Sequence, residues 1–140
     1  MAAEVQIGGT DDSRIFIGQD STIPVHVKDF DPPSGNTDGT VAKEITGWAL
    51  TFDVRKLDKS GTVILSKTVG AGITIAGVFN ATASSNLQRA TVALDADLDL
   101  TVAKFSIDGG TFRYSLKRTD DGSETVLAYG DFVVDRATQT

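Results

Sequence analysis

The fold class follows from one stretch of alternating residues, Ile45-Thr46-Gly47-Trp48-Ala49-Leu50-Thr51-Phe52-Asp53-Val54-Arg55. From Trp48 onward, its large apolar side chains recur at every second position, which is the period of a strand buried on one face. The positions between them are small, hydroxyl-bearing or charged, as expected for a face in contact with solvent. This pattern predicts a β-strand with its apolar face turned into a core.

The same period of two recurs along most of the chain, with one apolar face in each predicted strand. Since a register slip of one residue would turn every such face outward, the shared period predicts which side chains meet in the core. The predicted core consists of Ile23, Val25, Val27, Trp48, Leu50, Phe52, Val54, Val92, Leu94, Phe112, Tyr114, Leu116, Phe132 and Val134.

Turn residues separate the predicted strands. Asp58-Lys59-Ser60-Gly61 and Asp120-Asp121-Gly122-Ser123 each predict the turn of a hairpin. Shorter strands are predicted at 14–18, 62–67 and 73–79. Many short strands at such spacing are typical of a β-sandwich or a barrel.

One segment has two possible secondary structures, and one residue is assigned to a face only by strict alternation. The segment 95–104 fits a short helical turn and a strand equally well. In the last strand, alternation places Val126 on the same face as Phe132.

The predicted fold class is all-β: a single antiparallel β-sandwich, jelly-roll or immunoglobulin-like, of about eight strands. Residues 1–13 are expected to form a polar N-terminal arm, and residues 14–140 the sandwich domain. The segment 29–44 forms one long loop, of a length that is uncommon unless the loop is functional or disordered.

Composition excludes several classes of function. The chain of 140 residues and 14.7 kDa has the size of one domain. A net charge of −6 and a pI near 4.6 argue against a dedicated nucleic-acid binder. The absence of cysteine excludes thiol catalysis and disulfides, and His26, as the single histidine, excludes a two-histidine metal site. No catalytic constellation is found, so we expect no enzyme and no cofactor.

The sequence shows no targeting segment that we can identify. The first residues lack a basic region followed by an apolar one, so no secretory signal is expected. No apolar run approaches the roughly 18 residues of a membrane span. We therefore expect synthesis in a cytoplasm and no membrane partner.

The acidic triplet Asp95, Asp97 and Asp99 is the best candidate for a metal site, because alternate carboxylates could converge on a calcium ion. The calcium-loop pattern fails at its other positions, where Leu100 replaces the turn glycine and Ser106 the bidentate glutamate. We expect a solvated acidic turn and no metal.

Three blocks of the chain, 45–55, 110–122 and 130–134, look like small virion proteins of tailed bacteriophages. One such group is the immunoglobulin-like domain of phage baseplate upper proteins. Another is the head decoration, or cement, class, and the sandwich with an extended arm resembles the cement protein of a Bordetella podophage. The long loop 29–44 departs from the compact baseplate pattern.

The resemblance implies a non-enzymatic virion protein, made in the host cytoplasm, that binds the outer capsid surface and bridges major capsid subunits. Its expected partners are the major capsid protein and other copies of itself. The alternatives are a tail or baseplate component, or a β-sandwich that binds a carbohydrate or a host receptor.

The arm and the long loop carry the least core pattern, so we expect them to contact partners. Prolines restrict the unbound loop and so reduce its ordering cost, and acidic side chains would meet basic patches. The predicted contact residues are Asp11, Asp12, Asp29, Phe30, Asp31, Pro32 and Pro33.

Overall fold

The computed structural model describes residues 3–7, 15–16, 20–29, 41–57, 61–95, 98–105 and 109–135. The described chain is all-β, as predicted, apart from the single helical turn α1 and a 3₁₀ turn. The elements are β1 (Ala3–Ile7), β2 (Ile15–Phe16), β3 (Ser21–Asp29), β4 (Val41–Ala42), β5 (Leu50–Arg55), β6 (Val63–Val69), β7 (Gly72–Ala76), β8 (Arg89–Leu94), α1 (Val102–Phe105), β9 (Gly109–Arg118) and β10 (Thr125–Asp135).

The strands form one curled, 10-stranded sheet in the order β1-β3-β8-β7-β6-β5-β9-β10-β2, with β4 beside β3. Residues from both halves of this path share one core, which gives a β-sandwich. The halves β1-β3-β8-β7 and β6-β5-β9-β10 correspond to the A-B-E-D and C′-C-F-G layers of the immunoglobulin type. The strand order therefore favours the immunoglobulin-like arrangement over a jelly roll.

The sheet is mixed, which corrects the prediction of a purely antiparallel sandwich of about eight strands. Strand β2 pairs in parallel with β10, and β6 pairs in parallel with β7. The strands that were not predicted are β1, in the expected arm, and the two-residue β4. Alternation does not reveal β4, because a period of two needs at least four residues to be read, whereas β2 lies within the strand predicted at 14–18.

Part of the expected N-terminal arm belongs to the sheet. Strand β1 pairs antiparallel with β3, with Val5 opposite Val27 and Ile7 opposite Val25. Strand β2, which follows β1 in the chain, pairs with β10 in the layer β6-β5-β9-β10. These pairings satisfy backbone groups that two bare sheet edges would leave open, so residues 3–7 are a strand and not an arm.

The core confirms most of the predicted face. The buried members are Ile23, Val25, Val27, Leu50, Phe52, Val54, Val92, Leu94, Leu116, Phe132 and Val134. Trp48, Phe112 and Tyr114 are only partly buried and pack against this cluster. Further buried side chains that we did not predict are Ala42, Ile45, Leu65, Ile73, Leu100 and Phe105.

Aromatic rings run through the middle of the core. Phe52 stacks on Tyr114 with ring centroids 5.9 Å apart and meets Phe132 edge-on at 6.1 Å. Helix α1 brings in Phe105, whose ring lies 4.9 Å from that of Phe112 and 6.1 Å from that of Phe132. Such pairs add about 0.5–1.5 kcal/mol each beyond the burial of their area. Within the predicted segment 95–104, the described residues 98–104 form a turn and most of the helical turn α1, which closes one end of the core.

Strand β10 contains a register shift between Val126 and Ala128. The irregularity changes which face the preceding residues occupy. Val126 is consequently 55% exposed, whereas Phe132 is buried. The prediction that both share one face is wrong, because strict alternation does not allow for a bulge.

A sharp corner joins the two layers between β6 and β7. Gly70 and Gly72 have φ values of 89° and 108°, which favour glycine. A Cβ on Gly72 would collide with the side chain of Lys67. Lys67 passes over this glycine, and its Nζ lies 2.7 Å from Oδ2 of Asp99.

Candidate functional site

Three connections meet at one end of the sandwich. Strand β8 is antiparallel to β3 and β7, and β9 is antiparallel to β5 and β10. The connections β3–β5, β7–β8 and β9–β10 are therefore adjacent. We call their described residues, 41–49, 77–88 and 119–124, the loop end.

Hydrogen bonds tie the first connection to the second. The backbone N–H of Ala42 donates to the carbonyl of Ala81 at 2.8 Å. The buried side chain of Gln88 accepts from the N–H of Ile45 at 3.0 Å and donates to Oγ1 of Thr46 at 2.8 Å. One amide side chain thus joins two loops and satisfies a backbone N–H that burial would otherwise leave unpaired.

The β7–β8 connection is also held from inside. Oδ1 of the buried Asn86 accepts from the backbone N–H groups of Asn80 at 3.0 Å and Gln88 at 3.2 Å. Gly77 lies so close to the backbone of Leu87 that a Cβ would collide with its carbonyl. These contacts give the connection one defined shape.

Asp120 joins the third connection to the first. Its Oδ2 accepts from the backbone N–H of Ala49 at 2.9 Å and from Nε of Arg118 at 2.8 Å. The hydrogen bond from Arg118 is the main cause that holds the pKa of Asp120 below its usual range. The Arg118 guanidinium also lies 4.0 Å from the ring centroid of Trp48, a cation–π contact. Trp48, predicted as core, instead lies half-buried beneath Arg118.

Two large apolar side chains project from this hydrogen-bonded frame. Val78 is 75% exposed and Leu87 is 68% exposed. They are neighbours, since the N–H of Leu87 donates to the carbonyl of Val78 at 3.1 Å. Apolar side chains held on a rigid frame can bind a partner with little ordering cost. The loop end can therefore make a preformed apolar contact, and it holds no arrangement typical of acid–base catalysis among the described residues.

Most of the predicted contact residues lie outside the described residues: Asp11, Asp12, Phe30, Asp31, Pro32 and Pro33. Asp29 is the last residue of β3, opposite Ala3 of β1 and Val41 of β4. The remaining described residues of the predicted loop, 41–44, include β4 and belong to the loop end.

Sequence reasoning missed Val78 and Leu87. Alternation from Ile73 already placed Val78 on the outer face of its predicted strand, which was a usable signal. Leu87 lies in an irregular segment, where the sequence gives no such signal. The buried amides Asn86 and Gln88 were equally invisible, because polar residues between strands are typical of solvated loops.

Of the acidic triplet, the structure describes Asp95 and Asp99. Asp99 pairs with Lys67 and accepts from the N–H of Asp95 at 2.7 Å, and Asp97 lies outside the described residues. Burial alone would raise the pKa of Asp99, but the hydrogen bonds from Asp95 and Lys67 hold it below its usual range. The described residues contain no cluster of three or more potential metal ligands.

Comparisons with known proteins give no family. No protein-family profile and no curated protein sequence matches the chain. The chain is similar to the crystal structure of the Lin-41 filamin domain, with 13% identity and a TM-score of 0.40 over 95% of this chain and 93% of that chain. The assignment of the strands to the two layers follows from the strand order and the shared core. None of the described helices is long and apolar enough to cross a membrane.

Proposed function

We propose that this chain is a non-enzymatic structural protein of a phage virion. It acts as a head decoration protein that binds the outer capsid surface and bridges major capsid subunits. The observation that carries this proposal is the loop end, where three hydrogen-bonded connections present Val78 and Leu87 to solvent. The resemblance of residues 45–55 and 110–122 to phage virion proteins supports the choice of partner.

The proposed role needs only modest affinity from each copy. Many copies on one particle engage a repeating lattice, and a bridging copy that holds one subunit meets the next at a high effective concentration. A rigid loop end suits this task because little conformational freedom is lost on binding. The partners are then the major capsid protein and neighbouring copies of this chain, and the protein resides in the virion.

The test is occupancy on purified particles that lack this protein. A double variant, Val78→Ser with Leu87→Ser, should fold normally and decorate heads at a clearly lower occupancy than the wild type. Leu98→Ser is the matched control, since Leu98 is 70% exposed and lies at the opposite end of the sandwich. Equal occupancy of the double variant and the wild type would refute the loop end as the binding surface.

The predicted loop needs its own variant. Replacing Pro32-Pro33-Ser34-Gly35 with a short Gly-Ser link tests the contact residues without touching a described strand. Deleting residues 1–13 is a poorer test, since it removes β1 and exposes the edge of β3.

The tail or baseplate alternative predicts a different location on the particle. Binding of the wild-type protein to tails and not to heads would favour it.

The carbohydrate alternative makes a different demand, namely exposed aromatic rings on which sugars can stack. Among the aromatic side chains that the structure describes, Tyr129 alone is mostly exposed, at 71%. One ring supplies one stacking contact, so we place this alternative second. Saturation-transfer NMR with host surface glycans would reveal it as transfer that disappears in Tyr129→Ser.

A further inference from the structure

A second apolar surface lies on the outer face of β10, away from the core. Val126 is 55% exposed, Tyr129 is 71% exposed and Val133 is 54% exposed. The register shift after Val126 places all three on one face, with the exposed Asp131 between the last two. We call these four residues the outer strip. Exposed apolar residues that share one face of a strand can mark a contact with a partner.

At two positions of the outer strip, the neighbouring strand β9 carries a residue that could complement it in a second copy. Asp131 lies opposite Arg113, and Tyr129 lies opposite the small Ser115. On its other side Arg113 faces Arg55 of β5, and like charges directly opposite are unfavourable. Within the described residues, neither Arg113 nor Asp131 forms an ion pair with a distance of 4.0 Å or less.

We infer that two copies of this chain dimerise through the outer faces of β9 and β10. A two-fold axis parallel to the strands, between β9 and β10, sets β10 of each copy over β9 of its partner. Each Asp131 then faces the partner's Arg113, and each Tyr129 ring faces the partner's Ser115, which leaves room for it. The symmetry produces two equivalent ion pairs, and Tyr129 and Val133 flank Asp131 of each pair along β10.

Charge complementarity favours a second copy over an unrelated protein. The surface carries an acidic position on one strand and a basic position directly beside it, so it is complementary to itself under a two-fold rotation. A partner with a uniformly basic or acidic patch would satisfy only one of the two positions. Tyrosine and arginine are also enriched at protein interfaces.

This inference goes beyond the proposed function by assigning the contact between copies to a defined face. It does not involve the loop end, because the outer strip is on the outward face of β10 and the loop end uses the connections. Its test needs only the purified full chain, so its failure is distinct from a failure to bind capsids.

Sedimentation velocity over a concentration range up to millimolar should show a reversible dimer for the wild type. Asp131→Arg sets arginine against arginine in the dimer, and Arg113→Asp sets aspartate against aspartate. Each variant alone should dimerise more weakly by more than about tenfold. An equimolar mixture of the two variants should dimerise again, since each unlike pair of copies restores both ion pairs.

The mixture is decisive, because a change within one chain cannot be repaired by adding another chain. Circular dichroism must show the same thermal transition for both variants, and Leu98→Ser serves as the control for loss of exposed apolar surface. A wild type that stays monomeric overturns the inference. So do single variants that dimerise as tightly as the wild type, or a mixture that remains as weakly associated as its components.

Discussion

The space between the layers and the loop end are stabilised by different means. Between the layers, Phe52, at 0% exposure, contacts other rings and aliphatic side chains. At the loop end, Gln88 and Asn86 are nearly as buried, at 5% and 4%, but their contacts are hydrogen bonds to backbone groups. Dispersion and apolar burial have no preferred direction, whereas hydrogen bonds do. The core therefore gives stability, and the loop end gives a defined shape.

The contrast explains where apolar residues are left in solvent. In the core, the apolar side chains that face inward pack against one another. At the loop end, amide side chains support the backbone from within, and Val78, at 75% exposure, is left pointing outward. A loop stabilised by apolar packing would have needed that side chain inside.

The largest expected effect comes from truncating the core. Phe52→Ala should lower the free energy of unfolding by about 3–5 kcal/mol, because it leaves a cavity beside Tyr114 and Phe132. Urea unfolding followed by fluorescence measures the change. Phe52→Leu, which keeps most of the volume, should cost clearly less. Equal costs for the two variants would show that the lost ring contacts, and not the cavity, account for the loss of stability.

Breaking the ion pair between Asp99 and Lys67 should cause an intermediate loss of stability. Asp99→Asn should cost about 2–3 kcal/mol at neutral pH, because it removes a charge-assisted contact to Lys67. The hydrogen bonds that hold the pKa of Asp99 down make the folded state bind its proton less readily than the unfolded state. The contribution is thus complete above the unfolded pKa near 4 and is lost as pH falls through the lowered value.

Unfolding measured from pH 7 down to pH 2 checks this sign. The difference between wild type and Asp99→Asn should shrink on acidification. A difference that is constant over this range would mean that the ion pair contributes no pH-dependent stability.

A smaller loss is expected from the amides of the loop end. Asn86→Ala should cost about 1–2 kcal/mol, because two backbone N–H groups lose their acceptor. Asn86→Asp keeps an oxygen in the same place and should cost less. Amide hydrogen exchange should show faster opening of 80–88 in the alanine variant, with the core strands unchanged. Uniform acceleration throughout the chain would mean that the loop end and the core do not unfold separately.

The smallest effect on stability should come from the exposed pair. Val78→Ser with Leu87→Ser should change the free energy of unfolding by no more than about 0.5 kcal/mol, as is usual for surface sites. A loss above about 2 kcal/mol, measured by the same urea titration, would show that these residues support the loop and are not merely presented by it.

The sequence predicts the fold wherever one face of a strand meets the core. The alternating faces of 50–54 and 112–116 were found because apolar burial repeats at every second residue. Ile45 and Phe105 were missed, since they reach the core from a turn and from a single helical turn. The loop end was not predictable, because its shape depends on hydrogen bonds between residues about 40 to 70 positions apart and local patterns carry no such information.

The glycine corner between β6 and β7 has a consequence for how the chain folds. Thr68 pairs with Gly72 across only a few residues, so the passage between layers requires closure of a very short loop. By contrast, β5 and β9 pair residues that lie 58 to 68 positions apart in the sequence, from Arg55 with Arg113 to Leu50 with Arg118. Folding rates fall as the sequence separation between contacting residues grows. The glycine corner between β6 and β7 can therefore form early from local contacts. The docking of β9 and β10 onto β5 is then the slow, entropically costly step.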